Sequence, residues 1–189
     1  MVLVIYAHPN PKSFNAAIRE TVEDFLKERN LPFRTRDLYA ISFNPVLSGE
    51  DFVALQKGSF LEDVGKEQEF VKEADTLIFI FPMWWYSFPA ILKGYIDRVF
   101  SYGFAYGEKD GKVVGLLEGK RALIFCTLGG FEEDYENFSE CLMNTFKATF
   151  EFCSIKVPLV KFFYGVPYVS DEVRKGYLEE VRRALLEAI

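Results

Sequence analysis

The chain predicts an α/β fold: a doubly wound sheet of five parallel strands in the order 2-1-3-4-5, helices on both faces, and a single domain spanning residues 1–189. Three observations predict it. Continuous apolar runs, Val2–Ala7 and Thr76–Phe81, have the character of parallel strands covered on both faces. Stretches with helical spacing separate the runs, which implies βαβ units with right-handed crossovers. Unusual residues gather after Ala7, Phe81 and Thr127, the strand ends where this order opens a ligand crevice.

The elements follow in order. After Val2–Ala7 and a polar loop over His8–Phe14, Asn15–Arg29 carries Ala17, Ile18, Val22, Phe25 and Leu26 on one helical stripe. Phe33–Leu38 is more polar and suits an edge strand. Ser42–Gly65 reads as a long irregular connection, and Lys66–Ala74 as a helix. Thr76–Phe81 is the clearest strand; Pro82 stops it, and Pro89 opens a helix that runs to about Ser101. Arg121–Thr127 and Lys156–Phe163 are the fourth and fifth strands, with helices over Ser139–Phe150 and Asp171–Ala188. Lys93 and Asp97, four apart, form a surface pair worth a few tenths of a kcal/mol, ~0.3.

Composition excludes several classes. Net charge is −6 with no basic run, so the electropositive footprint of a nucleic-acid binder is missing. No apolar stretch approaches the roughly 20 residues that span a bilayer, and the apolar start lacks the basic flank of a signal peptide. The three cysteines, Cys126, Cys141 and Cys153, follow no metal or CxxC spacing, which suits free thiols in a reducing cytoplasm and predicts no metal site. Aromatic content is high, with 20 Phe, 10 Tyr and 2 Trp. Such rings fill cores and also make platforms for flat ligands.

Three loops carry the candidate chemistry. His8-Pro9-Asn10-Pro11-Lys12-Ser13-Phe14-Asn15 leads into a helix, whose first N–H groups and dipole attract anions; Ser13, Asn15 and His8 add side-chain donors. Ser13 or Asn15 capping the helix is the equally direct structural reading. Phe81–Ala90 holds Pro82, Met83, Trp84, Trp85 and Tyr86, a wall for a planar heterocycle or else an apolar plug or dimer contact. Thr127-Leu128-Gly129-Gly130 either lets backbone N–H groups approach a ligand or is a plain turn. Tyr135 lies among Glu132, Glu133, Asp134 and Glu136, where a solvated acidic face is the default. Phosphate anchor, aromatic wall and glycine-lined polar edge together meet the needs of a flavin.

The chain resembles the NAD(P)H:quinone oxidoreductases, a flavodoxin-like family with small bacterial members. The resemblance rests on AHPxPxSFN at Ala7–Asn15, DLYA at Asp37–Ala40, FNP at Phe43–Pro45, and the specific block Phe81–Phe100; FAYG at Phe104–Gly107 and TxGG at Thr127–Gly130 continue it. It implies that His8, Ser13, Phe14 and Asn15 hold the flavin phosphate and ribityl chain. Pro82, Met83, Trp85 and Tyr86 would line the ring, with Trp84 beside them, and Thr127, Gly129 and Gly130 would meet its pyrimidine edge. Tyr135 matches the family's active-site tyrosine. A histidine six residues further on completes the proton relay in well-studied members; here that position is Cys141, and the only histidine is His8.

The resemblance further implies a ping-pong, two-electron reduction of a quinone-like acceptor by NADH or NADPH. FMN is the expected cofactor, with FAD as the alternative. A homodimer with the flavin near the interface is expected from the aromatic run Trp84–Phe88. The competing class is a regulatory or electron-transfer flavoprotein, such as an ancillary subunit of a potassium-efflux transporter.

Overall fold

The structure, a computed structural model, describes residues 1–136 and 138–189. Strands β1 (Val2–Tyr6), β2 (Phe33–Asp37), β3 (Thr76–Pro82), β6 (Arg121–Thr127) and β7 (Lys156–Phe163) form one sheet in the order β2-β1-β3-β6-β7. Every neighbouring pair in it is parallel. The predicted order and the edge position of the second strand are thus observed.

Helices cover both faces. On one side α1 (Phe14–Glu28) and α6 (Asp171–Ala188) bury Ile18, Val22, Leu26, Val181 and Leu185 against Val4, Ile78 and Leu123. On the other, α3 (Glu62–Glu73), α4 (Ala90–Val99) and α5 (Ser139–Glu151) pack Val71, Leu92, Phe146 and Phe150 onto Leu3, Phe79 and Ile124. Alternate residues of each central strand feed opposite cores, which is why β1, β3 and β6 read as unbroken apolar runs. On α1 the fully inward small residue is Ala16; Ala17 is half-buried.

Three features depart from expectation. The 42–65 connection contains a helix, α2 (Gly49–Gln56), and α3 starts at Glu62, four residues before the expected Lys66. Helix α2 buries only Asp51 and Ala54, so it has almost no apolar stripe to betray it; its start is held by the Asp51 carboxylate, which accepts from the Ser48 N–H and hydroxyl. A two-stranded hairpin, β4 (Tyr106–Lys109) and β5 (Lys112–Gly115), precedes β6. Its Asp110-Gly111 turn has φ of 53° and 73°, the conformation for which an Asp-Gly pair is favoured. The strands are four residues each and largely polar, too short for periodicity to mark. The Lys93–Asp97 pair forms at 2.7 Å on the exposed side of α4.

Two sequence blocks prove to be partners in packing. Arg98 of α4 is buried and donates to Asp51 at 3.0 Å, to the Asn44 carbonyl at 2.8 Å and to Asp63 at 2.5 Å. Burial pushes the Asp51 carboxyl up, but the Ser48 and Arg98 hydrogen bonds outweigh it and hold the group below its ordinary range. Phe43 meets Tyr95 with ring centroids 5.2 Å apart. The 42–65 connection is therefore clamped onto α4. A Cβ on Gly94 would lie 2.1 Å from the Pro45 carbonyl oxygen and 2.5 Å from its Cα. Gly94→Ala must push backbone away from backbone, so it should destabilise the fold by ~3 kcal/mol, lowering the melting temperature by about 6–12 °C. Calorimetry that finds a melting temperature within a degree of wild type would contradict this packing.

Candidate functional site

The carboxyl ends of β1, β3 and β6 open into one crevice of about 250 Å³. Its walls are His8, Ser13, Phe14 and Asn15 from the first loop, Pro82, Met83 and Trp84 from the second, and Thr127, Leu128 and Gly129 from the third, with Val166 and Pro167 closing the side.

The first loop ends in the start of α1. The Ser13 side chain caps it, accepting from the Ala16 N–H at 3.2 Å. Helix α1, like α4, carries no acidic residue in its first turn, whereas α2, α3, α5 and α6 each carry one or two there. The positive end of its dipole is left without a counter-charge from its own first turn. His8 Nδ1 lies 3.0 Å from the Asn10 backbone nitrogen and 3.2 Å from the Asn10 carbonyl oxygen, so one end of the ring is held by Asn10 in either neutral tautomer and Nε2 is left to face the crevice. Burial lowers the His8 pKa from its ordinary value, and at neutral pH the ring is an uncharged donor.

Asn15 supplies the most specific observation. It is 3% exposed and donates from Nδ2 to the Thr127 hydroxyl at 2.8 Å, which ties the start of α1 to the end of β6. Its Oδ1 is buried and, among the described residues, has no hydrogen-bond partner. An unpaired buried amide end costs on the order of 1–3 kcal/mol. Such a group beside a crevice is an acceptor that a hydroxyl or N–H of a bound molecule would satisfy.

The second loop turns through Trp84–Ser87, where the two residues exchange backbone hydrogen bonds of 3.2 and 3.1 Å. Trp85 and Tyr86 both take left-handed backbone, with φ of 50° and 56°. That turn favours Asn and Gly; bulky residues are strained there by ~1–2 kcal/mol each. Trp85 is 96% exposed, Tyr86 52% and Trp84 41%, while Phe88 turns inward onto Phe81 and Phe146. The structure therefore splits the expected wall: Pro82, Met83 and Trp84 line the crevice, and Trp85 and Tyr86 stand on its outer rim.

The two glycines of the third loop also divide. A Cβ on Gly129 would meet open space, but one on Gly130 would approach Asp134 to 2.7 Å and the Tyr135 hydroxyl to 3.2 Å. The Gly130 N–H donates to the Tyr135 hydroxyl at 3.4 Å, and its carbonyl accepts from the Gly165 N–H at 2.6 Å. Gly130 thus serves packing and lies outside the crevice wall. The acidic stretch is solvated as expected, with Glu132, Glu133, Asp134 and Glu136 all exposed, but Tyr135 within it is half-buried: its ring packs beside Tyr86 and Tyr164, at centroid distances of 5.9 Å each. Cys141 sits exposed on α5, and among the described residues its thiol takes part in no hydrogen bond.

Leu128, Val166 and Pro167 are wall residues that sequence reasoning missed. Val166 and Pro167 follow β7, where the resemblance fades and no motif marks them; the Val166 N–H donates to the Leu128 carbonyl at 3.1 Å and draws the segment over the third loop. The donor set fits a flavin: amides and a serine for a phosphate, a buried acceptor for a hydroxylated chain, apolar walls for a ring. A larger depression of about 510 Å³ lies between α2 and α4, but its buried charges, Arg98 and Asp51, already satisfy each other. Among the described residues no cluster of His, Cys, Asp or Glu is arranged to hold a metal, and no helix is long and apolar enough to cross a membrane.

The fold and crevice define the class of a flavodoxin-like protein, and a family profile described as flavodoxin-like fold matches residues 1–187. An uncharacterized NAD(P)H oxidoreductase of Haemophilus influenzae is 38% identical over 184 residues, covering 94% of this chain and 90% of that one. The human ribosyldihydronicotinamide dehydrogenase [quinone] is 34% identical over 93% of this chain and 86% of its own length. The solved NAD(P)H:quinone oxidoreductase of Methanothermobacter marburgensis superposes with a TM-score of 0.84 at 31% identity, covering 97% of this chain and 95% of that one. The chain belongs to the flavodoxin-like NAD(P)H:quinone oxidoreductase family.

The strained turn yields a test. Trp85 is almost fully exposed and makes no ring contact among the described residues, so Trp85→Gly removes strain and little packing. The flavin-free variant should be more stable by ~1 kcal/mol, melting about 2–4 °C higher, while turnover with a flat acceptor falls. A lower melting temperature would show that the turn is held by packing and not strained for use.

Proposed function

We propose that the protein is a flavin-dependent NAD(P)H oxidoreductase that carries two electrons from NADH or NADPH to quinones or related flat acceptors in ping-pong order, with FMN as its cofactor. The observation that carries this reading is the unpartnered Asn15 Oδ1 beside an anion-ready helix start, in a crevice with one apolar wall. The activities named for the relatives in this family support it. FMN is preferred to FAD because the 42–65 connection is clamped to α4 and contributes nothing to the crevice wall, leaving little to clasp an adenine.

When bound, the flavin supplies two-electron chemistry, receiving hydride from the nicotinamide and passing electrons to the acceptor. The chain supplies position and charge. Ser13 and the first amides of α1 would hold the phosphate, with the His8 ring beside them. Asn15 Oδ1 accepts from a ribityl hydroxyl. Pro82, Met83 and Trp84 would exclude water from one side of the ring, and Thr127 and Gly129 would border its polar edge, with Gly130 behind them holding Tyr135. Trp85 and Tyr86, at the rim, meet the incoming nicotinamide or quinone. The Tyr135 hydroxyl accepts from the Gly130 N–H, so its own proton is free to donate to the reduced cofactor. No histidine stands behind it, because that family position is Cys141.

The whole chain, residues 1–189, acts as one flavin-binding domain. The exposed Trp84, Trp85 and Tyr86 beside the crevice suit a homodimer with the flavin near the interface. The three free cysteines suit a reducing cytoplasm. A carrier or regulatory subunit is the weaker reading, because the aromatic rim suits a covered, substrate-sized slot over an open flavin edge.

Protein purified with its native cofactor should be yellow, release FMN by mass on heating, oxidise NADH or NADPH with a soluble quinone, and sediment as a dimer at micromolar concentration. Release of FAD overturns the cofactor assignment, absence of quinone turnover in the yellow protein favours the carrier, and a fully active monomer removes the dimer. Tyr135→Phe should slow flavin reduction in stopped flow about tenfold, ~1.4 kcal/mol, with flavin affinity nearly unchanged. Unchanged reduction rates would remove Tyr135 from the chemistry.

A further inference from the structure

Tyr6 is the one polar side chain on β1, whose other residues are Val2, Leu3, Val4 and Ile5, and it is fully buried. Phenylalanine would fill the same space without burying a hydroxyl, a group that costs free energy inside unless it is hydrogen-bonded. The partners of that hydroxyl therefore carry the interest. It lies 3.3 Å from Ser13 Oγ and 3.5 Å from the Asn10 carbonyl oxygen, so it touches the loop before α1 at two points. The Arg19 guanidinium stands 4.9 Å from the Tyr6 ring centroid and pairs with Asp37 at 3.4 Å.

Resting on the assignment of the flavin phosphate to the start of α1, we propose that Tyr6 is a positioning residue for that phosphate: its hydroxyl occupies an acceptor site on Ser13 and thereby aims the Ser13 proton at the anion. The count of protons and lone pairs leads there. A serine hydroxyl has one proton and two acceptor sites. One acceptor site of Ser13 takes the Ala16 N–H. With no anion bound, the Tyr6 proton has two acceptors in reach, Asn10 and Ser13. A phosphate at the helix start competes for the Ser13 proton, and a charge-assisted hydrogen bond is about twice as strong as a neutral one. Ser13 then donates outward, and Tyr6 fills its second acceptor site. The Ser13 proton, both Ser13 acceptor sites and the Tyr6 proton are all used in that arrangement, which runs from strand to loop to anion. Burial raises the Tyr6 pKa above its ordinary value, against the lowering effect of the Ser13 hydrogen bond, so the hydroxyl keeps the proton that it must donate.

The experiment compares FMN with riboflavin, which lacks the phosphate, on the full chain freed of flavin, by quenching of flavin fluorescence. Wild type should bind FMN more tightly than riboflavin. Tyr6→Phe should weaken FMN about fivefold to tenfold and leave riboflavin within about twofold, as for loss of one hydrogen bond serving a charged group. Ser13→Ala should remove most of the preference for FMN, and adding Tyr6→Phe to it should change that preference no further. Equal weakening of both flavins by Tyr6→Phe, or an undiminished effect on the preference in the Ser13→Ala background, would overturn the proposal by making Tyr6 a general packing residue. If wild type binds riboflavin as tightly as FMN, the phosphate assignment fails first and the proposal with it.

Discussion

The divergence of the connections that leave the carboxyl ends of β1 and β3 is the constraint on which the rest depends. The chain leaves β1 into α1 on one face of the sheet and leaves β3 into α4 on the other. No helix can cover the gap between two connections that turn in opposite directions, so a crevice opens there. The three motif-bearing loops meet around that gap. The start of α1 lies on one side of it, the strained Trp84–Ser87 turn on the other, and the Thr127–Gly130 turn beyond.

Polar groups around the gap share one device. A hydroxyl or amide accepts or donates inward, to its own backbone or neighbour, and so has a defined group left for the outside. Asn15 spends its donor on Thr127 and keeps a buried acceptor. Ser13 accepts from Ala16 and keeps a proton. Tyr135 accepts from the Gly130 N–H and likewise keeps a proton. Each is preorganised by the fold before a ligand arrives, which limits the ordering cost of binding. The 42–65 connection serves the site indirectly: clamped onto α4 through Arg98 and Asn44, it stays clear of the crevice.

Much of this was legible in sequence because parallel strands buried on both faces cannot hide. Val2–Ala7, Thr76–Phe81 and Arg121–Thr127 fall on strands within a residue or two of their ends. The crevice residues that follow them were legible through topology. What escaped had a local physical cause. Helix α2 lacks an apolar stripe, since its inward residues are an ion-paired Asp51 and a small Ala54. Val166 and Pro167 reach the crevice through a backbone hydrogen bond to Leu128, which no side-chain pattern records. Gly129 and Gly130 look alike in sequence and differ in role, because Tyr135 is folded back onto the second alone. Tyr6 reads as one more apolar strand residue until its hydroxyl is seen to end at Ser13.

A crystal structure of the flavin-loaded protein tests the central claim most directly. The account predicts FMN density with its phosphate within hydrogen-bonding distance of Ser13 Oγ and the first amides of α1, and a ribityl hydroxyl donating to Asn15 Oδ1. A flavin bound with its phosphate away from the start of α1, or Asn15 Oδ1 still without a partner in the loaded protein, would contradict it.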